Sequence, residues 1–147
     1  MTGRFAILLD GGFVEKRLAS RNRRHPDPGD ILAECARIRA HPFLGGRELL
    51  RVYYYDAPPA TGSTVHPCTG QSVILELTET HRRRAKFLDE LELYPDIALR
   101  LGEVALRGWR VRRAALSQMA AQARPLQEQD VELHLEQRAR RKRFARR

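Results

Sequence analysis

The chain has 147 residues, enough for one domain of ordinary size, and its 42% of hydrophobic residues can form a core, which excludes a disordered chain. No apolar run approaches the roughly 18 residues of a membrane span, so we expect a cytoplasmic protein without a membrane segment, with Cys35 and Cys68 as reduced thiols. The last ten residues, RARRKRFARR, carry seven basic side chains and no acid, which leaves only +2 of the net charge of +9 for the rest of the chain.

Residues 4–13, RFAILLDGGF, begin with an apolar run that ends in an acid and two glycines. The run predicts a central strand that is covered on both faces, because a half-exposed strand would alternate with polar residues. Ligands of parallel sheets bind beyond the carboxyl ends of the strands, so Asp10 is the first candidate site residue. Gly11 and Gly12 lack a Cβ and would let a phosphate approach the backbone. The structural alternative is that Asp10 caps the following helix.

The next segments predict two helices and a second strand. FVEKRLASRNRRHP and DPGDILAECARIRAHP have helical composition, with Asp27 or Asp30 as the N-cap of the second helix. LLRVYYYD predicts a second central strand that ends, like the first, in an acid, Asp56. Strands joined by helical segments lie parallel, so Asp10 and Asp56 are expected together at one edge of the sheet. Asp56 has a structural alternative too, as an acid that starts a turn before APP.

The second half of the chain is predicted less sharply. APPATGSTVHPCTGQS indicates an irregular loop, residues 73–93 a helix, and IALRLGEVALRGWRVRRAAL a strand or a hairpin. Beyond Leu116 the Gln, Ala, Glu and Arg content predicts a helix that continues into the basic end of the chain. The predicted organisation is a domain over residues 1–117 and a helical, Arg-rich tail over residues 118–147.

Spacing excludes several kinds of catalytic site. A haloacid-dehalogenase phosphatase needs a second acid two residues after Asp10, where Gly12 stands, and a cysteine phosphatase needs an arginine six residues after Cys68, where Ile74 stands. No glycine-rich nucleotide-binding loop is present in the sequence. His66 and Cys68 could reach a metal, but without a second pair of ligands an ordinary loop histidine and thiol are favoured.

Two features remain that carry chemistry. Two carboxylates at neighbouring strand ends suit a hard cation such as Mg²⁺, which favours phosphoryl chemistry. The basic end would attract a polyanion by releasing its counterions, which indicates a nucleic acid; the alternative is a solvated, frayed terminus. The candidate nucleic-acid-binding residues are Arg138, Arg140, Arg141, Lys142, Arg143, Arg146 and Arg147.

FAILLDGGF, then LLRVYYYDAPP, then KFLDELELYPDIALRLGEVALRGW together resemble the NYN domain, a branch of the PIN-like ribonuclease superfamily, in its bacterial subgroup. The resemblance covers roughly residues 4–113. It implies an α/β fold with a parallel central sheet flanked by helices in three layers, acidic residues that hold Mg²⁺ or Mn²⁺, and binding or cleavage of RNA. By position, Asp10 matches the first metal-binding acid of the family and Asp56 the acid that closes the second strand motif.

The chain departs from the family pattern after RLGEVALRGW. The family has Gln-Lys-Gly-Val-Asp there and then a strand leading to Gly-Asp-Ser-Asp, whereas this chain offers only QEQDVELHLEQ, which places Asp130 or Glu132 near the missing acid. The fold is therefore expected to be incomplete at the C-terminal end, truncated or diverged. The metal ligands are expected to be Asp10, Asp56 and Glu132, with the first two catalytic and activity low or absent. The alternative is a non-catalytic RNA-binding or protein-interaction module, and a homodimer or another partner is expected to cover the open sheet edge.

Overall fold

A computed structural model describes residues 3–138. Seven strands and four helices alternate along this part of the chain, with short 3₁₀ turns over Pro42–Leu44, Leu75–Leu77 and Glu128–Asp130. The elements in chain order are β1 (Arg4–Asp10), α1 (Gly11–Asn22), α2 (Pro28–Arg39), β2 (Glu48–Asp56), β3 (Ser63–Val65), β4 (Ser72–Ile74), α3 (Glu79–Glu92), β5 (Ile97–Leu101), β6 (Glu103–Val111), α4 (Arg113–Gln122) and β7 (Val131–Arg138).

The main sheet has three parallel strands in the order β1–β2–β5. The prediction of an α/β fold with a parallel sheet is confirmed to this extent. Within residues 3–138, however, β2 is the central strand and β1 lies at an edge, so the prediction that β1 is central is wrong for the described chain.

Helices cover one face of this sheet. Ile7 and Leu9 of β1 and Val52 and Tyr54 of β2 share one core with the buried residues of α1, α2 and α3. On the other face, Leu8 is 64% exposed and Ala6 is exposed as well. The expectation that β1 is covered on both faces is therefore wrong for the part of the chain that the structure describes, and the three-layer arrangement is not confirmed there.

The helix starts follow their sequence signals. Asp27 caps α2 through a capping box, in which its side chain accepts the Asp30 N–H and the Asp30 side chain accepts the Asp27 N–H. Thr78 caps α3 by accepting the His81 N–H. Of the two predicted N-caps, Asp27 and Asp30, Asp27 is the one observed, and Asp30 is the third residue of the helix.

The chain between β2 and α3 is more ordered than predicted. The loop after Asp56 contains a small antiparallel hairpin of β3 and β4, and α3 begins at Glu79 rather than near residue 73. His66 supports this hairpin, because its Nδ1 accepts the Cys68 N–H at 3.2 Å and the Thr69 N–H at 3.3 Å. This contact gives His66 a structural role.

The segment from Gly102 onward also differs from its prediction. β6 does not form a hairpin with β5; it pairs antiparallel with β7, with a register shift between Leu106 and Trp109 where Gly108 has φ +96°. The predicted helix over 118–147 is wrong over Val131–Arg138, because α4 ends at Gln122 and the alternation of Val131, Leu133 and Leu135 forms a strand. The predicted tail residues from 139 onward lie outside the described residues. No helix within residues 3–138 has both the length and the apolarity to cross a membrane.

Candidate functional site

The carboxylate of Asp56 lies at the carboxyl end of β2, beneath the helices. Side chains alternate along a strand, so Asp56 shares the helix-covered face with Tyr54, two residues earlier. The first residue of α1, Gly11, is buried beside it: a Cβ on Gly11 would lie 2.8 Å from Asp56 Cγ and 2.8 Å from Tyr54 Cε1. Because Gly11 has no Cβ, the Asp56 side chain can occupy the space beside it.

Arg84 of α3 joins Asp56 to Glu15 of α1. One terminal nitrogen of Arg84 donates to both Glu15 carboxylate oxygens, at 2.7 and 2.9 Å, and the other donates to Asp56 Oδ2. Asp56 Oδ1 accepts the Ala57 N–H at 2.6 Å, and the Tyr54 hydroxyl donates to Glu15. A single guanidinium therefore bridges two carboxylates that come from two different elements.

Burial and charge shift the pKa values of this network. Burial and then the hydrogen bond to Glu15 raise the pKa of Tyr54 far above its usual range. Burial alone would lower the pKa of Arg84, but the hydrogen bond and charge of Glu15, together with the charge of Asp56, outweigh it and raise that pKa. Arg84 stays a cation and Tyr54 stays a neutral donor at every physiological pH.

Asp10 lies at the end of the neighbouring strand but on the other face. It has the parity of Ala6 and Leu8, which are exposed, and it pairs in register with Tyr55 rather than with Asp56. Its Oδ1 accepts the Phe13 N–H at 3.0 Å, which makes Asp10 the N-cap of α1. The contacts of Asp10 are thus those of a helix cap, the structural alternative to a site residue. Asp10 and Asp56 do not meet on one face of the sheet.

The other predicted site residues are separated as well. Glu132 in β7 accepts from Arg110 Nε at 2.8 Å, and strand alternation puts it on the face of the β6–β7 pair opposite Leu133 and Leu135. Arg138 ends β7 and donates to Glu136 at 2.7 Å. The candidate nucleic-acid-binding residues beyond it lie outside the described residues: Arg140, Arg141, Lys142, Arg143, Arg146 and Arg147.

A cavity of about 550 Å³ opens beside the Asp56–Arg84–Glu15 network. Part of its lining, which we call the apolar wall, consists of Val104, Leu133 and Leu135 from β6 and β7 together with Leu75 and Phe87. The polar lining includes Glu15, Asp56, Thr78, Thr80 and the basic side chains of Lys16, His25, His81, Arg83 and Arg84. Gly12 also lines the cavity, and Asp10 does not. Its size is typical of pockets that hold a small organic ligand.

The acids do not fit a single divalent-cation site. Asp56 is already paired with Arg84, so a cation bound to it would meet the guanidinium charge, while Asp10 and Glu132 face elsewhere. Within residues 3–138 no group of three or more His, Cys, Asp or Glu side chains is placed to hold a metal. The described geometry thus does not assemble Asp10, Asp56 and Glu132 into one ligand set.

Sequence patterns pointed to Asp56 but missed Glu15 and Arg84. Both belong to helices in which charged residues alternate with core residues, and such positions normally face water. The pairing joins residues 69 positions apart, so no local pattern reports it. The one available signal is the cluster of basic residues at 81–86 that α3 carries next to the predicted site.

Comparisons of this chain with protein-family models, with curated proteins and with solved structures find no match.

Proposed function

We propose that this chain is an RNA-binding domain of NYN-type ribonuclease ancestry that holds a segment of single-stranded RNA in the cavity beside Asp56 and does not cut it. The observation that carries the proposal is the cavity itself, in which basic side chains surround an apolar wall at the carboxyl end of the parallel strands. The resemblance of LLDGGF and RVYYYDAPP to the NYN domain supports RNA as the partner.

The charges around the cavity favour an anion. Arg84 forms ion pairs with Glu15 and Asp56. Lys16 and Arg83, in contrast, are exposed and form no ion pair with another residue of the described range 3–138. They are available to phosphate oxygens.

The apolar wall can bind a nucleobase of the RNA. Leu133, Leu135 and Phe87 form a surface against which the face of a nucleobase can lie, and flexible single strands offer unstacked bases for such contacts. Phosphates at Lys16 and Arg83 and a base at the wall together require a single-stranded ligand, because the bases of a duplex are stacked inside it.

The experiment measures the fluorescence anisotropy of a labelled single-stranded oligoribonucleotide of mixed sequence, with Mg²⁺ and with EDTA. We expect equal affinity in both buffers and an intact oligonucleotide on a denaturing gel. Lys16→Glu should weaken binding about tenfold, the value of one charged contact. Arg17→Glu is the matched control, because Arg17 is the next residue of α1, carries the same charge and does not line the cavity.

Three results would contradict the proposal. Equal effects of Lys16→Glu and Arg17→Glu would mean that charge alone, and not the cavity, binds the RNA. Preference for the duplex over the single strand would exclude a base at the apolar wall. Cleavage that needs Mg²⁺ or Mn²⁺ and is lost in Asp56→Asn would establish instead the metal-dependent ribonuclease that the NYN resemblance implies.

A further inference from the structure

β1 is an edge strand of the main sheet in the described chain, and the residues between Arg4 and Asp10 are all apolar. Within residues 3–138, β1 pairs only with β2, so the backbone on its other side has no strand partner. The register irregularity between Phe5 and Ala6 falls in β2, which has one extra residue there, so β1 itself is unbroken. An unbroken edge without proline, lysine or a bulge is a template for pairing with another strand.

We infer that a second copy of this chain occupies this edge, with the two β1 strands antiparallel and centred on Ile7. In this register Arg4 of one copy lies opposite Asp10 of the other, and this occurs twice because the arrangement has two-fold symmetry. Ala6 lies opposite Leu8, and Phe5 lies opposite Leu9. Every cross-strand pair is therefore either oppositely charged or apolar.

The same register also places each residue opposite a partner on the same face of the sheet. Arg4, Ala6, Leu8 and Asp10 share the face that the helices leave uncovered, and cross-strand partners in an antiparallel pair lie on the same face. Leu8, 64% exposed in the single chain, would contact Ala6 of the second copy. A register displaced by two residues keeps the faces but places Arg4 opposite Leu8 or outside the pair, so the charges select the register.

Each charged residue has a free group for the contact. Arg4 Nε lies 3.3 Å from Glu48 Oε2, and both side chains are more than two-thirds exposed, so the Arg4 guanidinium is accessible to a second copy. Asp10 uses Oδ1 for the Phe13 N–H. Its Oδ2 remains available to Arg4 of the second copy, so pairing does not disturb the cap of α1.

The register is tested by cysteine cross-linking of the full chain in a Cys68→Ser background, which removes the exposed native thiol. Ala6→Cys with Leu8→Cys places each new thiol directly opposite the other residue of the second copy, and we expect an interchain disulfide. With either single substitution, the new cysteine of one copy and that of the second copy are offset by two residues along the strands. Their Cα atoms are then roughly 8 Å apart, which is beyond disulfide reach. The single substitutions are therefore the matched controls.

The charges are tested by sedimentation velocity across a range of concentrations. The unmodified chain should dimerise, and Arg4→Glu, which faces Asp10 of the second copy twice, should raise the dissociation constant about tenfold. Adding Asp10→Asn removes the repulsion, keeps the helix cap and should restore most of the affinity. Glu48→Gln, which removes only the intramolecular partner of Arg4, should leave dimerisation unchanged.

A monomer at every concentration would overturn the inference, as would a dimer that cross-links equally well through either single cysteine. A chain that dimerises only after residues 139–147 are deleted would also overturn it, because those residues would then be the segment that covers β1.

Discussion

The contact between Gly11 and Asp56 is tested by replacing Gly11 with alanine. The added Cβ would lie 2.8 Å from Asp56 Cγ and 2.8 Å from Tyr54 Cε1, closer than nonbonded carbon atoms approach. Neither neighbour can yield cheaply, because Tyr54 is fully buried and Asp56 is held by Arg84 and by the Ala57 N–H. Overpacking of this kind costs about 1–3 kcal/mol, only partly offset by the higher helix propensity of alanine.

Gly12→Ala is the control, because the next glycine of α1 has room for a side chain. Its Cβ would meet only Asp10 Oδ1, at 3.5 Å, an ordinary van der Waals distance. Alanine at this position should stabilise the fold by about 0.5 kcal/mol through helix propensity and a less flexible unfolded chain.

Urea denaturation followed by circular dichroism measures both variants. We expect Gly11→Ala to lower the free energy of unfolding by about 2 kcal/mol, or roughly 6 °C in Tm for a chain of this size, while Gly12→Ala raises it slightly. Equal stability of the two variants would refute the reasoning, because it would mean that Asp56 does not occupy the space beside Gly11.

Four further predictions follow from the same contacts. Arg84→Met should cost about 2 kcal/mol at pH 7 in urea denaturation, since it leaves the two partly buried carboxylates of Glu15 and Asp56 unpaired; an unchanged stability would contradict the network. Asp10→Ala should lower the free energy of unfolding by about 1 kcal/mol, while Asp10→Asn should not. Calorimetry should give both variants the Mn²⁺ affinity of the unmodified chain; a weaker affinity in Asp10→Asn would make Asp10 a ligand. The hydrogen bonds from Arg124 lower the pKa of Asp130 to about 2, so its contribution is complete above the unfolded value near 4 and is lost as the pH falls toward 2; Asp130→Asn should lose less stability over that interval than the unmodified chain. Deletion of residues 139–147 should leave Tm unchanged but reduce the log–log salt slope of RNA binding by ~3.5 if about five basic side chains contact phosphates, and an unchanged slope would exclude that role.

The parallel core was predictable because its signals are local. The apolar run of β1, the aromatic residues of β2 and the capping signal at Asp27 each specify an element without help from distant residues. Two parallel strands joined by helices then follow from chain geometry. Even β7 had a local signal, since VELHLEQ alternates apolar and polar residues, but the composition of the segment suggested a helix instead.

Which face of β1 is buried was not predictable, because burial depends on packing against residues that are distant in the sequence. The run of Phe5 to Leu9 is equally apolar at odd and even positions, so nothing in it indicates that Leu8 is exposed while Ile7 and Leu9 are buried. The link between Glu15 and Arg84 is likewise a long-range property, set by how α1 and α3 meet over the end of β2.

Strand parity explains why the two acids that the sequence placed together separate in the structure. Asp10 and Asp56 end neighbouring strands, but the register pairs Asp10 with Tyr55, and this displacement by one residue turns the two carboxylates to opposite faces. Asp56 therefore meets the helices, where Arg84 neutralises it, and Asp10 meets solvent, where it caps α1. The proposed cavity lies on the first side, whereas the charged pairs between Arg4 and Asp10 in the proposed contact with a second copy lie on the other.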